Sequence, residues 1–208
     1  MPELTIAIPK GRMESESLDL FAACGIRVNE TDSSRSLART DQSSRHRFIF
    51  VKPADVPVYV EHGIADCGVV GQDVLLESRA DVLQPLSLDI GACQIVVAAA
   101  GDREKRPDGM LRVATKYPRI ASQYFSERGQ PVEIIQLSGS VELAPVLGLS
   151  ECIVDLVETG RTLKDNGLRV HEVICESCAR FVVNRASYQL KAAAIAALIK
   201  RMKGAAGS

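Results

Sequence analysis

Short apolar runs alternate with amphipathic stretches along most of the chain. The runs at residues 4–9, 48–51, 66–70, 95–100, 112–115, 132–137, 153–157, 168–174 and 181–183 predict strands, because they are too short for buried helices and rich in β-branched residues. Between them, helices are predicted at 14–24, 56–62, 74–79, 118–128, 140–147 and 163–166, with a last one at 188–202. In the first of these, Leu18, Phe21 and Ala22 share a face, and Gly25, Gly63 and Gly167 are stop signals after their helices. Residues 31–47 are polar and lack any period, which predicts a long loop or an irregular hairpin. A charged loop is expected from Gly101 to Gly109. Strand–helix alternation of this kind predicts an α/β fold with mainly parallel sheets. No internal repeat of fixed period is apparent.

A chain of 208 residues is long enough for one large domain or two small lobes. The hydrophobic share of 46% and the charged share of 25% describe an ordinary globular protein and exclude a disordered one. The formal net charge of -1 argues against general affinity for nucleic acid or an acidic membrane. Any bound anion must then be held by local cations. The N-terminus reads as a strand entering a polar turn, with no targeting pattern, and no apolar run approaches the roughly 20 residues of a membrane span. A cytoplasmic protein is expected. Of the six cysteines, four lie singly in apolar stretches, while Cys175 and Cys178 form a lone C-x-x-C. His46, His62 and His171 lack the spacing that would complete a zinc site, so a structural role is expected for the pair. Asp66 and Asp73 read as turn and cap residues.

The chemically richest stretch is residues 153–163. An apolar strand carries Asp155 toward its carboxyl end, and a turn then presents Thr159, Gly160, Arg161 and Thr162 at the start of a helical turn. Such a turn offers backbone N–H groups and two hydroxyls to a phosphate, and Gly160 lets the backbone come close. Asp155 and Glu158 would repel that phosphate, so they face ribose hydroxyls or a magnesium ion instead. Taken alone, T-G-x-T also suits an ordinary capped helix.

That turn belongs to a longer pattern. Glu142, Gly148, Ser150, Ile153, Asp155, Leu156, Thr159, Gly160, Thr162 and Leu163 spell E-x5-G-x-S-x2-I-x-D-L-x2-T-G-x-T-L, which resembles the signature of the ATP phosphoribosyltransferases. Ile8-Pro9-Lys10-Gly11-Arg12, the segment from Asp55 to Gly63 with Gly71-Gln72-Asp73, and Ala114-Thr115-Lys116-Tyr117-Pro118 resemble the same family. The chain departs from the family's usual pattern at Lys52, where an arginine is more common, and its length implies the short form, without the added regulatory domain expected of long-form members.

The resemblance implies a two-lobed fold like the periplasmic binding proteins, with a cleft between α/β lobes. The strand order puts lobe one at residues 1–92 and 175–208, and lobe two at 93–174. The implied reaction joins ATP to 5-phosphoribosyl 1-pyrophosphate, with Mg2+ carried by substrate and not by a protein cage, as the first step of histidine biosynthesis. By that resemblance Lys10, Arg12 and Arg35 offset charge on the leaving pyrophosphate. Asp155, Glu158, Thr159, Gly160, Arg161 and Thr162 hold the phosphoribosyl donor, and Glu142 and Gly11 contact nucleotide or ribose. Short-form members further imply a regulatory subunit resembling histidyl-tRNA synthetase, and the apolar C-terminal helix suggests a homodimer within a hetero-oligomer. Two other readings stay open: a non-catalytic small-molecule binding module of the same fold, and a phosphoribosyltransferase acting on another base.

Overall fold

The computed structural model describes residues 3–29, 37–43, 45–101 and 109–206. The first half of the chain contains β1 (Leu4–Pro9), α1 (Glu14–Ala23), β2 (Ala38–Thr40), β3 (His46–Val51), α2 (Val56–Glu61), β4 (Cys67–Gly71), α3 (Gln72–Ser78), β5 (Leu83–Ser87) and β6 (Cys93–Ala99). The second half contains β7 (Leu111–Thr115), α4 (Pro118–Glu127), β8 (Val132–Gln136), α5 (Leu143–Val146), β9 (Cys152–Val157), α6 (Arg161–Asp165) and β10 (Arg169–Ser177). It ends with β11 (Ala179–Val183), α7 (Arg185–Leu190) and α8 (Ala192–Ala206). These elements divide into two compact units, Met1–Gly91 with Cys178–Ser208 and Ala92–Ser177.

The first unit holds a sheet of order β2-β3-β1-β4-β11-β5, and the second a sheet of order β10-β6-β9-β7-β8. The α/β class is as expected, but both sheets are mixed and not mainly parallel. Among the described residues, only β3-β1-β4 and β9-β7-β8 pair in parallel. The strands that lead the chain from one unit to the other, β5 into β6 and β10 into β11, have no crossover helix between them and pair antiparallel with their neighbours. The central strands are covered on both faces, which is why their sequences are continuous apolar runs. Leu4, Ile6 and Ile8 of β1 pack with Phe21 and α8 on one side, while Ala7 meets Val56 and Val60 of α2 on the other. In β9, Cys152 and Val154 face α4, and Ile153 faces Ala144 and Leu163 of α5 and α6.

Several elements differ from expectation for identifiable reasons. The polar stretch contains the short hairpin β2–β3 in its described part. Strand β5 carries Pro85, which lowers its strand signal and is tolerated because β5 is an edge strand. The expected C-terminal helix is two helices: α7 is capped by Asn184, whose carboxamide oxygen accepts the Ser187 N–H at 2.9 Å, and Lys191 separates it from α8. The stripe that α1 buries runs through Ser17 and Phe21, and Ser17 reconciles its hydroxyl with burial by donating to the Met13 carbonyl at 2.6 Å.

At the amino end of β7, Arg112 donates through its side chain to Glu151 at 2.6 and 3.0 Å, and its N–H reaches the same carboxylate at 2.7 Å. Burial raises the Glu151 carboxyl, but these hydrogen bonds and the arginine's charge outweigh it and hold the group below its ordinary 4.5. A depressed native pKa means stability that is present above the unfolded value and lost as pH falls through the native one. Glu151→Gln is therefore expected to melt at a lower temperature than wild type at pH 7, with the gap closing well below pH 4.5. Thermal melts across that range check this, and a gap independent of pH would contradict it.

Candidate active site

Each unit builds its parallel trio in the same way. The first strand sits in the middle, the second on one side and the third on the other, giving β3-β1-β4 and β8-β7-β9. Chain connections thus reverse direction between the first and third strands, the place where α/β sheets take ligands beyond the strands' carboxyl ends. In the second unit this edge is formed by Lys116 after β7 and by Glu158, Thr159 and Gly160 after β9. The corresponding edge of the first unit has Lys10, Gly11 and Arg12 after β1 and Gln72 and Asp73 after β4.

In the second unit, Asp155 lies on β9 opposite Val96 of β6, on the strand face that Ile153 buries under α5 and α6. Its carboxylate accepts the Leu156 N–H at 2.9 Å. Burial is the main influence on this group and raises its pKa above the ordinary 3.8; the Leu156 hydrogen bond and the charge of Lys116 oppose the rise, and Glu142 adds to it. Glu142 is half-buried at the start of α5, so the structure brings it within electrostatic reach of Asp155. Helix α5 starts later than expected because Ser140 takes a left-handed conformation with φ 47°, uncommon for a residue with a side chain.

Beyond β9 the chain exposes Glu158 and Thr159, then turns at Gly160, whose φ is 72°. An added Cβ there would make only ordinary contact, 3.8 Å from Val157, so the left-handed backbone and not space is what calls for glycine. Helix α6 then begins at Arg161. The N–H groups of Arg161, Thr162 and Leu163 open this helix and so have no intrahelical acceptor. Leu163 is buried and fastens the helix, while Thr162 is exposed beside the turn. Arg161 and Asp165 form an exposed ion pair at 3.7 Å, a contact of the surface kind that contributes little.

In the first unit, Lys10 continues the β1–β3 ladder by donating its N–H to Val51 at 2.8 Å, and Gly11 turns with φ 89°. Glu14 folds back on this turn, accepting the Gly11 N–H at 3.4 Å, and Arg12 donates to the Gly91 carbonyl at 3.4 Å. Lys52 follows β3 on the same edge. Arg35 lies outside the described residues. Cys178 meets the Ser87 hydroxyl at 3.3 Å, and Cys175 lies in β10. Asp66 and Asp73 are buried; Asp66 is bound by Thr5, Ser187 and Lys191. Thr115, Lys116 and Ser140 were not singled out as site residues from sequence. Thr115 and Lys116 were marked only as part of the Ala114–Pro118 likeness, and the structure adds that all three residues stand at the carboxyl ends of β7 and β8.

The fold and its strand-end loops define a two-unit α/β protein of the periplasmic-binding-protein kind. The periplasmic VFT2 domain of Bordetella pertussis BvgS has the same fold at 12% identity, with a TM-score of 0.59 over 96% of this chain and 86% of that one. Much nearer likenesses exist. Residues 52–204 match the HisG family, ATP phosphoribosyltransferase. A protein of Clostridioides difficile (strain 630) with that activity's name is 50% identical over 192 residues, covering 92% of each chain. One from Thermoanaerobacter sp. (strain X514) is 48% identical over 206 residues, covering 98% of this chain and 96% of the other. In the solved ATP phosphoribosyl transferase (HisG:HisZ) complex from Thermotoga maritima, a chain superposes with a TM-score of 0.85 at 36% identity over 98% of both. The chain belongs to the ATP phosphoribosyltransferase family, pentosyltransferases that act at the first step of histidine biosynthesis. Membership decides against the binding-module reading and against a phosphoribosyltransferase for another base.

Proposed function

We propose that this chain carries out its family's reaction at the edge formed by β7 and β9. The observation that supports this is a half-buried carboxylate, Asp155, followed within a few residues by a left-handed glycine turn and the opening amides of α6. In this reading Thr159, Gly160, Arg161 and Thr162 hold the 5-phosphate with backbone N–H groups and hydroxyls. Asp155 and Glu158 orient the ribose hydroxyls. The adenine N1 of ATP displaces pyrophosphate at C1 of the sugar, so a C–N bond forms as the C–O bond breaks. No side chain needs to act as a strong base, and catalysis rests on positioning and charge. Lys10 and Arg12 offset charge on the leaving pyrophosphate, with Arg35 assigned to the same task. Glu142 and Gly11 contact nucleotide or ribose. We take the two compact units as the two lobes, with bounds that lie one to three residues from those expected.

Among the described residues, no group of three or more His, Cys, Asp or Glu side chains is arranged to hold a metal. In this reading a magnesium ion is carried by the substrate phosphates, where it would neutralise phosphate charge. Among the same residues no helix is long and apolar enough to cross a membrane, and we assign the chain to the cytoplasm. The solved relative from Thermotoga maritima is a HisG:HisZ complex, which supports a separate regulatory subunit here; by the family resemblance we take that subunit to resemble histidyl-tRNA synthetase and the present chain to be a homodimer inside the assembly. Production of phosphoribosyl-ATP from the two substrates, with and without that subunit, tests the activity. Thr159→Ala and Thr162→Ala are each expected to weaken donor binding roughly ten-fold, from the loss of a hydrogen bond to a charged group. Titration with phosphoribosyl pyrophosphate reads this, and unchanged affinity in both variants would reduce the turn to a helix cap.

A further inference from the structure

Resting on that reading of the site, we propose that Lys116 is a further ligand of the phosphoribosyl donor and that Thr115 is the residue that positions it. Thr115 is the last residue of β7 and is fully buried. Its hydroxyl donates to the Val154 carbonyl at 2.6 Å and accepts the Tyr117 N–H at 2.8 Å. One side chain therefore ties the end of β7 to β9 and fixes the backbone on both sides of Lys116. In the parallel register Thr115 lies beside Val154, the last pair between these strands, and Lys116 and Asp155, one residue further on, are within electrostatic reach of each other. The Leu137 N–H, donating to the Thr115 carbonyl at 2.9 Å, holds the same strand end from the β8 side.

Asp155 and Glu142 are the carboxylates in electrostatic reach, and Lys116 is the cation acting on Asp155. Of the charged groups acting at this position, the two carboxylates would repel an anion and Lys116 would attract one. Among the described residues the Lys116 ammonium group makes no hydrogen bond or ion pair, and the side chain is exposed. A lysine whose backbone is fixed at a strand end by a buried clamp, on the same sheet edge as the Thr159–Thr162 turn, is suited to a phosphate oxygen. A second observation points the same way. Lys116 is the first residue after the central strand of its parallel trio, as Lys10 is after β1, so the two units place a lysine at the same topological position.

The test compares Lys116→Met, Thr115→Val and Thr115→Ser with Thr159→Ala and wild type in one assay, varying phosphoribosyl pyrophosphate and ATP separately. Lys116→Met is expected to raise KM for the donor about ten-fold with KM for ATP little changed, the loss of one charge-assisted contact. Thr115→Val keeps the shape but loses both hydrogen bonds, and should shift the donor KM in the same direction. Thr115→Ser keeps the hydroxyl and should restore wild-type behaviour. If Thr159→Ala weakens donor binding while Lys116→Met does not, the proposal fails and the site reading survives. If Thr115→Val changes only the melting temperature, Thr115 is structural and its positioning role is overturned. If no variant, Thr159→Ala included, alters donor KM, the site reading itself falls and the proposal with it.

Discussion

Asp155→Asn is expected to lower kcat/KM for phosphoribosyl pyrophosphate on the order of 100-fold, the scale of about 1.5–3 kcal/mol for hydrogen bonds to a charged group. Stability should move the other way. Burial, the largest cause, raises the Asp155 carboxyl above its ordinary 3.8, against the Leu156 N–H and Lys116. A native pKa above the unfolded one means that the folded protein binds the proton more tightly. The stability that this group contributes is full below pH 3.8 and is lost as pH rises through the native value. At pH 7 the ionised group therefore opposes folding, and asparagine relieves that opposition. Wild type and variant should be compared by thermal melting at pH 7 and by steady-state kinetics. A variant that loses stability and activity together would make Asp155 a structural residue, and one with full activity would remove it from the site.

Asp66→Ala is expected to destabilise the protein by about 3 kcal/mol, the lower end of the effect of breaking a buried ion pair, because Lys191 is only partly covered. The Asp66 carboxylate is a junction in the first unit. It accepts the Thr5 N–H at 2.8 Å, the Ser187 hydroxyl at 2.6 Å and the Lys191 ammonium at 2.7 Å, so it joins β1 to α7 and to the entry of α8. Burial alone would raise this carboxyl, but the hydrogen bonds from Lys191, Ser187 and Thr5 prevail and lower it. Its contribution is present above the ordinary 3.8 and is lost as pH falls through the native value. A melting temperature lower by roughly 6–12 °C at pH 7 is the expected result for a protein of this size. A drop of less than about 2 °C would mean that the three donors find water or other partners without loss.

Much of the fold was legible because the central strands are covered on both faces. Ile6, Ala7 and Ile8, or Cys152, Ile153 and Val154, must all be apolar whichever side they face, so each strand stands out as a run. Strand β5 did not, because an edge strand tolerates Pro85 and buries little. The break at Lys191 was equally silent: residues on both sides favour a helix, and Lys191 lies at the break with its ammonium on Asp66, far away in the chain. The junction that Asp66 makes from its turn was hidden too, since a single sequence carries no sign of three donors brought from β1 and α7–α8.

The candidate site divides along the same line. Sequence by itself determined the turn: Asp155, Thr159, Gly160 and Thr162 are neighbours in the chain, and local geometry is dictated by neighbours, including the positive φ that selects Gly160. It also determined the family, through the spacing of the signature from Glu142 to Leu163. The mixed sheets, the twin parallel trios and the placement of Lys116 within electrostatic reach of Asp155 were decided only by tertiary structure. Strand order is set by which apolar faces find cover together. That is a competition among pieces distant in the chain, and no local pattern records its outcome.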